Sequence, residues 1–153
     1  MKLLVLGATG RLVVDQALAA GHTVRALVRS LEKLDARPGL DVVSGQATDA
    51  GDVTQAMTGV GAVISTLGAT RGTVISFAMQ DRRGGRAARQ RSRLHPVHAV
   101  RLTNDPATGI TQQLPKSATL RMGDTISRAD VAAWMLSALT SPTTSRRSVV
   151  IAG

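Results

Sequence analysis

A chain of 153 residues has the length of one domain, and such a chain buries roughly 70% of the surface that its unfolded form exposes. Hydrophobic residues make up 43% and charged residues 19%, a balance that fits a soluble globular chain and not a disordered one. There is no Cys and no Tyr, with one Trp and one Phe, which excludes disulfides, cysteine nucleophiles, zinc–thiolate sites and tyrosine proton donors, and leaves little for base stacking.

The formal net charge is +9, from 19 Lys and Arg against 10 Asp and Glu. The excess is local. Arg82, Arg83, Arg86, Arg89, Arg91, Arg93 and Arg101 fall in one acid-free stretch, and removing those seven charges leaves +2. The basic character therefore belongs to a segment and not to the whole chain. The first apolar run, Leu3–Leu6, is four residues, against about 7–15 for a secretory signal. No stretch approaches the roughly 18 apolar residues of a membrane span, so a cytoplasmic protein is expected.

In chain order, Leu3–Leu6 reads as a strand buried on both faces, ending at Gly7. Gly7-Ala8-Thr9-Gly10 is a tight turn. Arg11–Ala20 reads as a helix with Val13, Val14, Ala17 and Leu18 on one face and Gly21 as its stop. Val24–Val28 and Asp41–Ser44 are further apolar strands, with a turn of helix expected over Ser30–Leu34. Asp49 occupies an N-cap position before Val53, Met57 and Val60 at helical spacing. Ala62–Leu67 is a fourth strand, ending at Gly68. Strand, turn, helix and strand with short connections make the βαβ pattern of a parallel sheet covered on both faces.

After Arg71 the pattern weakens. Thr73–Met79 suits a strand or a short helix, and Asp81–His98 carries no hydrophobic period, so little packing is expected there. Order returns at Ser127-Arg128-Ala129-Asp130, which resembles a capping box. Val131, Trp134, Met135, Ala138 and Leu139 then form an apolar helix face that Pro142 ends, and Ser148–Ala152 is a last strand.

Gly7-x-x-Gly10 lies between a buried strand and a helix. Glycines there let the backbone approach a pyrophosphate, and the helix start offers free N–H donors at the positive end of its dipole. The alternative is a plain tight turn. Arg29-Ser30 ends the second strand, 22 residues after Gly7, with no acid to bind a ribose hydroxyl. Leu67-Gly68 ends the fourth strand at the edge where a dinucleotide would lie.

The LVLGATG start, the AAGHTVRALVR stretch, the VISTLGA strand end and the ISRADVA helix start together resemble the NAD(P)H-binding atypical short-chain dehydrogenases, nearest to the NmrA-like and flavin/biliverdin-reductase-B-like groups. The resemblance implies an α/β, Rossmann-like three-layer domain over residues 1–153, with a mostly parallel sheet and an irregular arginine-rich segment at about 80–101. It implies NADP(H) as cofactor, held by Gly7, Ala8, Thr9, Gly10, Arg29, Ser30, Leu67 and Gly68. In relatives the chemistry is hydride transfer from NADPH to a flavin-like or quinone-like acceptor. Two departures stand out. The third glycine of the family pattern has no counterpart, and Val13 stands at its nominal position, where it would crowd the strand or the phosphate unless the turn reshapes. The middle of the chain, after Gly68, is also shorter than in the family.

Other candidates carry less. Gln46 stands where the family carries an acid near the adenine, or it is a surface residue. His95 and His98 lack a nearby carboxylate, so no metal is expected. Ser65 and Thr66 have no histidine placed in sequence to activate them, and no nucleophile or general base stands out. Three rival readings remain: a non-catalytic dinucleotide-binding regulator, a degraded family member, and a nucleic-acid binder using the arginine run. With two aromatic residues, specific nucleic-acid recognition has little support.

Overall fold

The computed structural model describes residues 1–7, 10–67, 75–81, 93–94, 97–115, 123–141 and 149–153. Chain order begins with strand β1 (Lys2–Leu6), helix α1 (Gly10–Ala19), strand β2 (Thr23–Val28), a 3-10 turn (Leu31–Lys33), strand β3 (Leu40–Ser44), helix α2 (Ala50–Ala56) and strand β4 (Ala62–Ser65). These are the four expected strands, with ends shifted by one or two residues. They pair in parallel, in the spatial order β3-β2-β1-β4.

The apolar runs dictate this arrangement. Leu3, Val5, Val24, Ala26, Ala62 and Ile64 face one side of the sheet, where they pack with Val13, Val14 and Ala17 of α1. Leu4, Leu6 and Leu27 face the other side and pack with Ala56 of α2 and with Val60. Both faces are buried, so the strands read as continuous apolar runs rather than alternating ones. α1 stops where expected. Gly21 has φ +77°, its N–H donates to the Leu18 carbonyl at 3.0 Å, and the His22 N–H donates to the Ala17 carbonyl at 2.9 Å.

The later strands are β5 (Ile75–Asp81), β6 (Arg93–Leu94), β7 (Val97–Ala99), β8 (Arg101–Thr103), β9 (Gln112–Leu114) and β10 (Thr125–Ser127), then helix α3 (Arg128–Ala138) and strand β11 (Val149–Ala152). The sheet continues as β4-β5-β7-β11-β9, with β6 on β5, while β8 and β10 form a separate parallel pair. β5 runs antiparallel to β4. Nine residues separate Ser65 from Ile75, fewer than the dozen or so that a parallel crossover needs, so the chain returns in the opposite direction.

The expectation of little packing in Asp81–His98 fails at its end. Val97 is fully buried, because its register places it between Phe77 of β5 and Val149 of β11. Residues 82–92 and 95–96, which hold most of the arginine run, lie outside the described residues. α3 covers the same face as α1, and Val131, Trp134, Met135, Ala138 and Leu139 are all buried in the main core, as their spacing predicts. The result is three layers, with α1 and α3 on one face of the sheet and α2 on the other.

Candidate functional site

The first four strands are parallel, so their carboxyl ends gather at one edge. Gly7 follows β1 there with φ +106°, and the Gly10 N–H donates to the Gly7 carbonyl at 3.1 Å, closing the turn. α1 starts at Gly10. The turn needs both glycines. A Cβ on Gly7 would lie 2.5 Å from Thr66 Oγ1, and one on Gly10 would lie 2.8 Å from Val5 Cγ1. Ala8 and Thr9, the two residues between, lie outside the described residues.

α1 carries no acidic residue in its first turn, so nothing on the helix offsets the positive end of its dipole. Val13 does not crowd this end. It is fully buried on the inner face of α1, and the helix simply begins three residues before it.

Beside the turn, a cavity of about 160 Å³ extends to the end of β2, with Gly7, Gly10 and Arg11 on one side and Val28 and Leu34 on the other. Arg29 and Ser30 follow Val28 directly. Arg29 is exposed and makes no ion pair or side-chain hydrogen bond with the described residues. Ser30 is half-buried and opens the 3-10 turn, with no capping bond from its hydroxyl.

The next turn, after β3, is tied down by a ring of hydrogen bonds. The Gly45 N–H donates to the Val28 carbonyl at 2.9 Å, and the Gln46 N–H donates to Asp52 Oδ2 at 2.8 Å. Asp49 caps α2 as expected, accepting from the Asp52 N–H at 2.9 Å. The Gln46 side chain is exposed and has no hydrogen-bond partner among the described residues.

At the end of β4, Leu67 is 46% exposed, while Gly68 lies outside the described residues. Gly7, Gly10, Arg29, Ser30 and Leu67 therefore share one edge, although they come from three separate strand ends. Thr66, considered from sequence only as a nucleophile without an activating histidine, joins two of these ends. Its N–H and its hydroxyl both donate to the Leu6 carbonyl, at 2.7 Å and 2.8 Å. A backbone acceptor leaves no signature in sequence.

A second, polar cavity of about 230 Å³ lies beside β8 and β10, lined by Thr103, Asp105, Thr108, Asp124 and Ser127 among others. Asp130 forms its buried side and is 2% exposed. Its carboxylate accepts from the Thr108 N–H and hydroxyl, the Gly109 N–H and the Ser127 hydroxyl, all at 2.8 to 3.1 Å. Burial pushes its pKa up, but these donors outweigh burial and hold the carboxyl below the usual carboxylate range. Ser127 completes the expected cap by accepting from the Asp130 N–H.

No helix among the described residues is long and apolar enough to cross a membrane. No curated protein matches the chain in sequence. Several solved structures share its fold. A Rossmann-fold NAD(P)-binding family protein from Shigella flexneri superposes with a TM-score of 0.70 at 14% identity, over 98% of this chain and 92% of that one. A wide-type short-chain dehydrogenase/reductase from Veillonella parvula, solved in complex with NADP, gives 0.69 at 13% identity, over 99% and 94%. ChuY, an anaerobilin reductase from Escherichia coli O157:H7, gives 0.67 at 17% identity, over 99% and 96%. At these identities the likeness speaks to the fold, which is Rossmann-like. The sequence profile of an NAD(P)H-binding family matches residues 6–93, more than half of the chain, and the protein belongs to that family.

Proposed function

We propose that the protein binds NADPH along the carboxyl edge of β1, β2 and β4 and acts as a reductase toward a flavin-like or quinone-like acceptor. The observation that carries this reading is the pairing of an anion-ready turn with an exposed cation one strand away. Gly7 and Gly10 open the start of α1 to a pyrophosphate, and Arg29 stands exposed at the end of β2, with no ion pair among the described residues. A guanidinium meets a 2′-phosphate with two parallel donors, which a ribose hydroxyl does not require.

In this reading Gly7, Ala8, Thr9 and Gly10 hold the pyrophosphate, Arg29 and Ser30 the adenosine ribose and its phosphate, and Leu67 and Gly68 the nicotinamide side. The bound dinucleotide supplies the hydride. The chain's part is to bind it, orient it and exclude water with the apolar end of β4. No residue of Ala62–Leu67 can titrate, so the acceptor's proton comes from solvent or from the acceptor's surroundings. We also assign the chain to the NmrA-like and biliverdin-reductase-B-like groups, as one domain shortened after β4 and working in the cytoplasm.

The lack of a titratable group at the end of β4 equally favours a second reading, a dinucleotide-binding regulator without turnover. Titration with NADPH and NADH, followed by nicotinamide fluorescence, tests binding. NADPH oxidation in the presence of free flavin then separates the two readings. Failure to bind either dinucleotide overturns both.

A further inference from the structure

The Leu6 carbonyl is the last of β1, and Thr66 occupies both of its lone pairs, through its N–H at 2.7 Å and its Oγ1 at 2.8 Å. Thr66 is 5% exposed, so this hydroxyl bond is shielded from water. The Leu6–Gly7 peptide is planar, and pinning its C=O toward β4 fixes the Gly7 N–H on the opposite edge. The same hydroxyl limits the turn sterically. It lies 2.5 Å from where a Gly7 Cβ would be and 3.9 Å from where a Gly10 Cβ would be. One oxygen therefore sits beneath both glycines of the turn.

The hydroxyl is not needed to satisfy the backbone. Without it the Leu6 carbonyl keeps the Thr66 N–H, and no buried acceptor is stranded. Its effect is on where the turn sits. A methyl group in its place needs about 3.3 Å or more from a carbonyl oxygen, so the turn would have to move by roughly half an ångström.

We propose that Thr66 is a positioning residue for the glycine turn, and that its hydroxyl sets the turn's affinity for a pyrophosphate. This rests on the dinucleotide reading above. It adds a residue immediately after β4 that acts through Gly7.

The test compares NADPH with adenosine 2′-monophosphate, which carries the ribose phosphate but no pyrophosphate, on wild type and on Thr66→Val, Thr66→Ala and Thr66→Ser. NADPH binding is read by nicotinamide fluorescence and the nucleotide by competition. Val and Ala should weaken NADPH by about three- to tenfold and leave the nucleotide within about twofold, while Ser should match wild type. Thr66→Ala removes the oxygen without adding bulk, so it carries the comparison if Thr66→Val fails to fold. Equal NADPH affinity in wild type, Val and Ala overturns the positioning role, as does a parallel loss of both ligands. A wild-type protein that binds no NADPH overturns the dinucleotide reading instead.

Discussion

Asp130 grips Thr108 twice, accepting from its backbone N–H at 3.0 Å and from its hydroxyl at 3.0 Å. The contact spans 22 residues and fastens the loop after β8 to the first turn of α3. With the Gly109 N–H and the Ser127 hydroxyl also bound, four donors converge on one buried carboxylate.

Asp130→Asn should therefore be costly. An amide keeps one acceptor oxygen where four donors converge, so the two hydroxyls must turn or a donor loses its partner, at about 1–3 kcal/mol. The deficit should depend on pH. The folded carboxyl titrates below its unfolded value, so its contribution is complete above the unfolded pKa and disappears as pH falls through the folded one. Urea unfolding of both proteins at pH 7 and near pH 3 checks this. The gap should narrow at the lower pH, and a gap that is constant or absent at both would contradict it.

The first half of the fold was legible because each strand carries an apolar run and glycine follows three of the four. Leu3–Leu6 and Gly21 needed no tertiary information. The direction of β5 was not legible, since Thr73–Met79 suited a strand and a short helix alike and the sense of Ile75–Asp81 follows from the short connection before it. β7 was hidden for a different reason. Three residues, Val97-His98-Ala99, are too few to show a period, and their burial comes from neighbours far away in sequence. At the candidate site, Gly7, Gly10 and Arg29 could be nominated because their residue types suit the expected chemistry. The contacts of Thr66, Asp52 and Arg25 could not, because each acts on a backbone group and any polar residue of suitable length reads the same.

Arg25 illustrates that last class. It lies on β2 and is 18% exposed. Its Nε donates to Asp41 Oδ2 at 2.7 Å, and its Nη1 donates to the carbonyls of Ala56 and Thr58 at 3.1 and 3.0 Å. α2 has no basic residue in its last turn, so this arginine satisfies its end from the strand beneath it. Arg25→Met should destabilise the fold by about 1–2 kcal/mol, and Arg25→Lys should recover little, because a single ammonium cannot meet three acceptors set along a fork. Thermal unfolding midpoints of the three proteins give the answer. Full recovery by lysine would show that charge alone matters.

Gly7→Ala tests the turn itself. The residue sits at φ +106°, which a side chain rarely adopts, and its Cβ would meet Thr66 at 2.5 to 2.8 Å. The neighbouring atoms include the Thr66 backbone, which cannot rotate away. The substitution should cost about 1–3 kcal/mol of stability and abolish detectable NADPH binding in any protein that still folds. Circular dichroism with a fluorescence titration separates the two effects. Unchanged binding would show that the turn does not approach a ligand.

Arg29→Ala tests the proposed preference for NADPH over NADH. It is exposed at the end of β2, immediately after the Val28 that borders the cavity. Its guanidinium stays charged at every relevant pH and has no acidic partner to displace among the described residues. Hydrogen bonds to charged groups contribute roughly 1.5–3 kcal/mol, and only NADPH carries the extra phosphate. Arg29→Ala should therefore weaken NADPH by about ten- to a hundredfold and leave NADH nearly unchanged. Because the side chain is exposed and makes no ion pair or hydrogen bond with the described residues, the unfolding midpoint should stay where it is. Titrating both dinucleotides against both proteins makes the contrast the measurement, since a general loss of structure weakens both alike. Equal losses, or a wild-type protein that already prefers NADH, would leave Arg29 as a solvated strand end and move the source of any 2′-phosphate recognition elsewhere.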